Sequence, residues 1–245
     1  MAWLLVRTVA LASAVALLAV PAGAVLAVLG VWCAWPGRRW VVAGLISLLF
    51  LPVFLQATAW DAALGRQGWL GQRLGWGGVP LLDGWFAAVW LHAVTALPWV
   101  VMLVSLGARD VEPELVEQAW LDGPPLRGGW RMLWPRCRGW LALSTAWVVV
   151  LVASDMTVTD MFQVRTLAEE LYADFALDED PLAVALRLAP GVAVVGLWVA
   201  VILSWSWRWR PLSQGVVRSR PTPVRWGGWS ATLLASGGVG VLLAL

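Results

Sequence analysis

Very few side chains in this sequence could carry acid–base or ligand chemistry, because the chain has one histidine and two cysteines. His92 lies within a long apolar run, and Asp155 and Asp160 lie near the end of another. Ionisable groups inside an apolar helix bundle are costly unless they pair or contact water, so they are candidates for a path taken by ions or protons. Two other interpretations stay open: a buried histidine with satisfied hydrogen bonds, and carboxylates that mark the outer end of a helix.

Metal and nucleotide chemistry are not expected from the remaining residues. Cys33 and Cys137 are far apart in sequence, whereas zinc sites need three or four clustered ligands. The sequence contains no lysine, so it has no lysine-bearing phosphate loop. The glycine cluster 237–240 lies in an apolar run, where close helix packing explains it better than dinucleotide binding. We therefore expect no cofactor and no ATP hydrolysis on this chain.

The composition indicates the kind of element that must position these residues. Of 245 residues, 60% are hydrophobic and 13% are charged, whereas soluble domains carry about 25% charged residues. The mean hydropathy is +0.76. The apolar residues form long blocks instead of the alternation typical of membrane β-barrels. The sequence thus predicts an all-α, polytopic helical membrane protein in contact with lipid, and a net charge of +2 does not indicate nucleic-acid binding.

About 20 apolar residues are needed to cross a bilayer core. Six runs meet or approach this length, and we expect them to be transmembrane helices: Thr8–Trp35, Trp40–Trp60, Gly84–Leu106, Trp140–Phe162, Leu182–Trp207 and Trp229–Leu245. A cleaved signal peptide is the alternative for the first run, because Arg7 precedes it and Ala22-Gly23-Ala24 lies within it. Arginine is concentrated in alternate loops, which predicts that residues 107–138 are cytoplasmic and that the acidic segment 169–180 is external.

The predicted cytoplasmic loop 107–138 contains a short amphipathic helix. Pro113 suits a first helical turn, and apolar residues from Leu115 to Trp120 share a face. Asp122-Gly123-Pro124 should end this helix, because glycine accepts positive φ and proline cannot continue it. On periodicity alone, this is an ordinary loop helix resting on the bilayer.

The order of residue types in this loop resembles a known motif. Glu117-Gln118-Ala119, Gly123 six positions after the glutamate, and Leu133-Trp134-Pro135 resemble the EAA loop of permease subunits of binding-protein-dependent ABC importers. Gln118 stands where that family usually has alanine, and the spacing from Gly123 to Pro135 is one residue shorter. The resemblance implies that the loop docks on a cytoplasmic ATPase. The residues implied in ATPase coupling are Glu117, Gln118, Ala119, Asp122, Gly123 and Pro135.

The resemblance extends over about residues 8–207. Residues 154–160 and 167–172 are similar to the iron(III)/thiamine-type branch of the family. It implies a multi-pass subunit of a bacterial inner (plasma) membrane that is not itself an enzyme. It would import a small substrate, with iron(III) favoured, using a separate ATPase and an extracytoplasmic substrate-binding protein. The alternative is an ion-coupled secondary transporter or channel that uses His92 and Asp155 for protons.

The organisation along the chain follows from this resemblance. Residues 1–207 would form the permease core, residues 208–228 an Arg- and Pro-rich cytoplasmic linker, and residues 229–245 a sixth span. Iron-type permeases usually fuse two homologous halves. We therefore expect the N-terminal half of such a permease, which would pair with a second permease half or form a homodimer.

Overall fold

The computed structural model of the chain describes residues 2–32, 36–75, 80–109, 125–176 and 181–208. All regular elements within these ranges are α-helices. In chain order they are α1 (Ala2–Trp32), α2 (Arg38–Phe50), α3 (Val53–Leu64), α4 (Trp69–Arg73), α5 (Gly84–Arg109), α6 (Pro125–Ser154), α7 (Thr157–Met161), α8 (Leu167–Ala176) and α9 (Pro181–Arg208). The prediction of an all-helical protein is therefore confirmed for the described ranges.

Three described helices are long and apolar enough to cross a membrane: α1, α5 and the Leu133–Ser154 part of α6. They correspond to the first, third and fourth predicted spans. The predicted end of the fourth span at Phe162 is wrong, because α6 stops at Ser154 and the separate helix α7 follows. Asp155 lies at this break, and its carboxylate accepts the backbone N–H of Val158 in the first turn of α7, so the chain turns there instead of continuing α6.

The second predicted span, Trp40–Trp60, is not one continuous helix. The chain breaks at Leu51-Pro52, and the segments Arg38–Phe50 and Val53–Arg73 meet at 112°. Proline has no N–H for the helical ladder, and its ring clashes with the carbonyl four residues earlier. Together the two segments are long and apolar enough to form either a broken span or a re-entrant loop.

The remaining spans are only partly covered by the described residues. Helix α9 corresponds to the fifth predicted span, but its described apolar part, Ala189–Trp205, is shorter than 18 residues. Four predicted features lie outside the described residues. They are the sixth span, residues 209–228 of the linker, Cys33 and the centre of the predicted loop at 110–124. Helices α5 and α6 cover both ends of that loop. A total of six spans is therefore not confirmed.

The chain separates into two compact units. Unit 1 consists of Met1–Ala19, Ser47–Ala96 and Trp147–Val199. Its core includes fully buried aliphatic side chains, such as Val15 and Leu91. Within this unit, the backbone N–H of Leu167 donates to Thr8 Oγ1 at 3.0 Å, and this buried bond ties the start of α8 to α1. The N-terminal part of α1 is thus fixed to the segment that follows α7.

Unit 2 consists of Val20–Ile46, Leu97–Ala146 and Ala200–Leu245. Among its described residues, small side chains let helices approach closely. Gly23 of α1 lies directly against Val100 of α5. Trp32 Nε1 donates to the backbone carbonyl of Ala108 at 3.0 Å. Close backbone approach and hydrogen bonds between helices are the main sources of helix association in lipid, because burial of apolar area contributes little there.

Candidate functional site

Helix α5 places His92 in the interior of unit 1. The His92 side chain is 5% exposed, and its Nε2 atom lies 3.7 Å from Asp155 Oδ2. That distance is too long for a hydrogen bond, and Nε2 has no hydrogen-bond partner among the described residues. The imidazole and the carboxylate are thus neighbours without a direct hydrogen bond.

The end of α6 positions Asp155. The backbone stops being helical after Ser154, and Asp155 Oδ2 accepts the N–H of Val158 at 3.0 Å. This bond orients the carboxylate at the first turn of α7, where the exposed N–H groups favour negative charge. The Asp155 side chain is 20% exposed, so its carboxylate is less buried than His92. The hydrogen bond to Val158 and the proximity to His92 therefore involve the same oxygen atom.

The structure does not bring Asp160 to this pair. Asp160 is exposed, and its backbone N–H and carbonyl are used by the local turn with Met156 and Gln163. Gln163 has a φ of 55°, and this left-handed residue reverses the chain after α7. Asp160 is thus exposed on α7, while Asp155 lies beside His92.

The residues that the resemblance assigned to ATPase coupling are mostly outside the described part of the chain. Glu117, Gln118, Ala119, Asp122 and Gly123 all lie there. Pro135 lies inside α6 and is exposed. Their assignment therefore remains a prediction.

Gln56 is a polar residue of this unit to which the sequence assigned no role. It is 5% exposed, although it lies in an apolar segment. Its Nε2 atom donates to the carbonyls of Leu48 at 3.1 Å and Leu51 at 3.0 Å, and Thr95 Oγ1 lies 3.4 Å from its Oε1. The signal that could have revealed it is its position four residues after Pro52, where a side-chain donor can replace the missing backbone N–H.

A pair of tryptophans joins α3 to α5 in the same unit. The rings of Trp60 and Trp90 contact edge to face, with centroids 5.6 Å apart and an interplanar angle of 81°. This geometry is favourable for aromatic pairs. The buried Trp90 Nε1 has no hydrogen-bond partner in the described part of the chain. Trp90 and His92 therefore present two buried nitrogens of α5 without a partner there.

The chemistry available to this site is limited but specific. An imidazole next to a carboxylate can share a proton or attract a cation. Within the described ranges, no group of three or more His, Cys, Asp or Glu side chains could hold a metal ion.

Similarity to known proteins bears on the function of this bundle. No protein-family model matches the chain. The chain is similar to the molybdenum transport system permease protein ModB of Escherichia coli K12, with 31% identity over 117 residues. The match covers 47% of this chain and 50% of that protein. ModB of Escherichia coli O157:H7 matches to the same extent.

The chain therefore spans about half the length of the curated relatives it matches. This similarity does not support the iron(III)/thiamine branch. The three long apolar helices among the described residues agree with a membrane protein. The similarity is thus to a permease of a molybdenum transport system, over about half of each chain.

Proposed function

We propose that this chain is the transmembrane permease subunit of an ATP-driven importer. The observation that carries the proposal is the 31% identity with ModB over 117 residues. The apolar helices α1, α5 and α6 and the EAA-like order of residues in the loop between α5 and α6 are consistent with it. ATP would be hydrolysed by a separate cytoplasmic ATPase, since this sequence has no lysine for a phosphate loop.

We propose a molybdenum oxyanion as the substrate, in place of the iron(III) expected from the sequence. The support is the name of the relatives, which are molybdenum transport permeases. In neutral water this metal occurs as the dianion molybdate. We do not assign the anion to His92 and Asp155, because a carboxylate repels a dianion. A substrate-binding protein would deliver it at the outer membrane face, where the external acidic segment 169–180 is expected.

The coupling step in this proposal uses the loop between α5 and α6. Glu117 would pair with a basic residue of the ATPase, Ala119 would allow close approach, and Gly123 would form the turn. Closure of the ATPase on ATP would push this loop and move the spans between two states. A second copy of the chain, or a second permease half, would complete the path within the bacterial inner membrane.

The test is uptake by proteoliposomes that contain the permease, its ATPase and its binding protein. We expect ATP-dependent uptake of molybdate and no uptake of ferric iron. Gly123→Val should abolish uptake while membrane insertion is retained, because valine cannot adopt the turn. Gly196→Val is the matched control, since a Cβ at Gly196 meets nothing within 4 Å. Normal coupled uptake by Gly123→Val would reject the docking assignment, and ATP-driven uptake of iron instead of molybdate would reject the substrate.

The second candidate is an ion-coupled secondary transporter, and the buried His92 beside Asp155 is the observation that favours it. The two candidates differ in their need for an ATPase. Proteoliposomes with this chain alone and an imposed pH gradient should show no uptake under the importer proposal. Gradient-driven uptake without an ATPase would favour the secondary transporter.

A further inference from the structure

The break between α2 and α3 leaves backbone carbonyls that need new partners. In a continuous helix, the Leu48 carbonyl would accept the N–H of residue 52, but Pro52 has none. The Leu51 carbonyl lies at the break itself, between the two helices. Within an apolar environment such carbonyls must find a donor from the protein, because lipid supplies none.

The Gln56 side chain supplies that donor to both carbonyls. Its Nε2 atom lies 3.1 Å from the oxygen of Leu48 and 3.0 Å from the oxygen of Leu51. Carbonyl oxygens only accept, so the amide nitrogen must face them and the orientation of the amide is determined. At 5% exposure, Gln56 has little contact with surrounding solvent or lipid. One side chain thus links the last turn of α2 to the first turn of α3.

The opposite side of the same amide faces α5. Thr95 Oγ1 donates to its own helix at the Leu91 carbonyl, at 2.8 Å, and lies 3.4 Å from Gln56 Oε1. This second contact is long and therefore weak. It nevertheless places the bend next to α5, the helix that ends at Arg109. The segment expected to dock on the ATPase begins directly after Arg109.

We propose that Gln56 is a positioning residue for transport, whose amide holds the 112° bend between α2 and the α3–α4 segment. The proposal rests on the proposed function for its effect on uptake. Gln56 does not contact substrate in this account. It acts through the bend, since its two bonds bridge the break while its other face meets α5.

The test uses Gln56→Met, which keeps the length of the side chain but removes its donors, alone and together with Pro52→Ala. Alanine at position 52 restores an N–H that can bond the Leu48 carbonyl. Spin labels on cysteines introduced at positions 40 and 74 report the bend, since both positions are exposed. The native Cys33 and Cys137 are replaced by alanine. Gln72→Leu is the matched control, because Gln72 is an exposed glutamine whose amide bonds the nearby Gln67 carbonyl.

We expect Gln56→Met to broaden or shift the label distances when Pro52 is present and to have a much smaller effect in the Pro52→Ala background. Maximal molybdate uptake should fall roughly twofold to thirtyfold, with the half-saturating concentration unchanged, because the residue acts on helix position. Gln72→Leu should change neither quantity. If Gln56→Met does not fold, recovery of folded protein by the added Pro52→Ala supports the same inference, and no recovery overturns it.

Two further kinds of result would overturn the proposal. One is an unchanged distance distribution in Gln56→Met, or an equal change in both backgrounds. The other is a changed bend with normal uptake, which removes the role in transport. If the unsubstituted chain with its ATPase shows no uptake at all, the proposed function fails, while the distance measurement still decides whether Gln56 holds the bend.

Discussion

Substitution of Gly23 tests how closely α1 and α5 pack within unit 2. A Cβ atom at Gly23 would lie 2.6 Å from Val100 Cγ1 and 2.7 Å from Val100 Cβ. Favourable carbon–carbon contacts are about 3.5–4.0 Å, so Gly23→Ala requires the helices to separate by roughly 1 Å. Val100 is fully buried and β-branched, so its side chain cannot simply rotate away.

The expected cost can be isolated with a control in the same helix. Overpacking of this kind costs about 1–3 kcal/mol. Alanine also stabilises a helix by about 0.8–1.0 kcal/mol relative to glycine, which would hide part of the effect. Gly30→Ala brings the same gain without the overlap, because a Cβ at Gly30 meets nothing within 4 Å. The difference between the two variants therefore measures the overlap.

Thermal unfolding in detergent, followed by tryptophan fluorescence, provides the assay. A chain of this size shifts its Tm by about 2–4 °C per kcal/mol, so Gly23→Ala should melt about 2–12 °C below Gly30→Ala. Equal melting temperatures would show that α1 and α5 do not pack closely at Gly23, which would refute the reasoning. A lower Tm in both variants would instead locate the effect in α1 itself.

Two further substitutions within unit 1 should differ in their effect on the free energy of unfolding, because one removes a buried hydrogen bond and the other an exposed ion pair. Thr8→Val keeps the shape of the side chain but leaves the buried Leu167 N–H without its acceptor, so unfolding should become about 1–3 kcal/mol easier, whereas Thr8→Ser should retain most of the stability. A Thr8→Val variant as stable as Thr8→Ser would contradict this. Arg66→Ala removes a 3.0 Å ion pair with Asp83 whose side chains are 75% and 47% exposed, and the free energy of unfolding should change by only about 0–1 kcal/mol. A loss well above that range in the same melting assay would show that solvent does not screen the pair.

The sequence alone predicted apolar spans that overlap α1, α5 and the Leu133–Ser154 part of α6, although its end at Phe162 for the last of these was wrong. Length and hydropathy are properties of a contiguous run, and crossing a bilayer depends mainly on those two quantities. The EAA-like order of residues from Glu117 to Pro135 is also a local pattern, and it agrees with the similarity to a permease. In the proposed function, docking of this loop would depend on the surface of the ATPase, which the sequence of this chain does not report.

The broken second span shows what hydropathy does not report. Pro21 and Pro98 lie inside the continuous helices α1 and α5, whereas the chain breaks at Pro52. All three prolines lack the same N–H, so residue type does not decide between a tolerated proline and a break. At Pro52 the freed carbonyl of Leu48 is bonded by Gln56, a contact that forms only once the bend exists.

The sequence likewise identified the residues of the candidate site but not which of them lie together. The residue types of His92, Asp155 and Asp160 identified them as ionisable groups in or beside apolar runs. Their spacing could not show which of them meet, because His92 is far from Asp155 and Asp160 along the chain. The end of α6 turns Asp155 toward His92 at 3.7 Å, while α7 leaves Asp160 exposed. Composition and periodicity thus determined the membrane class, and only tertiary packing decided which charged groups became neighbours.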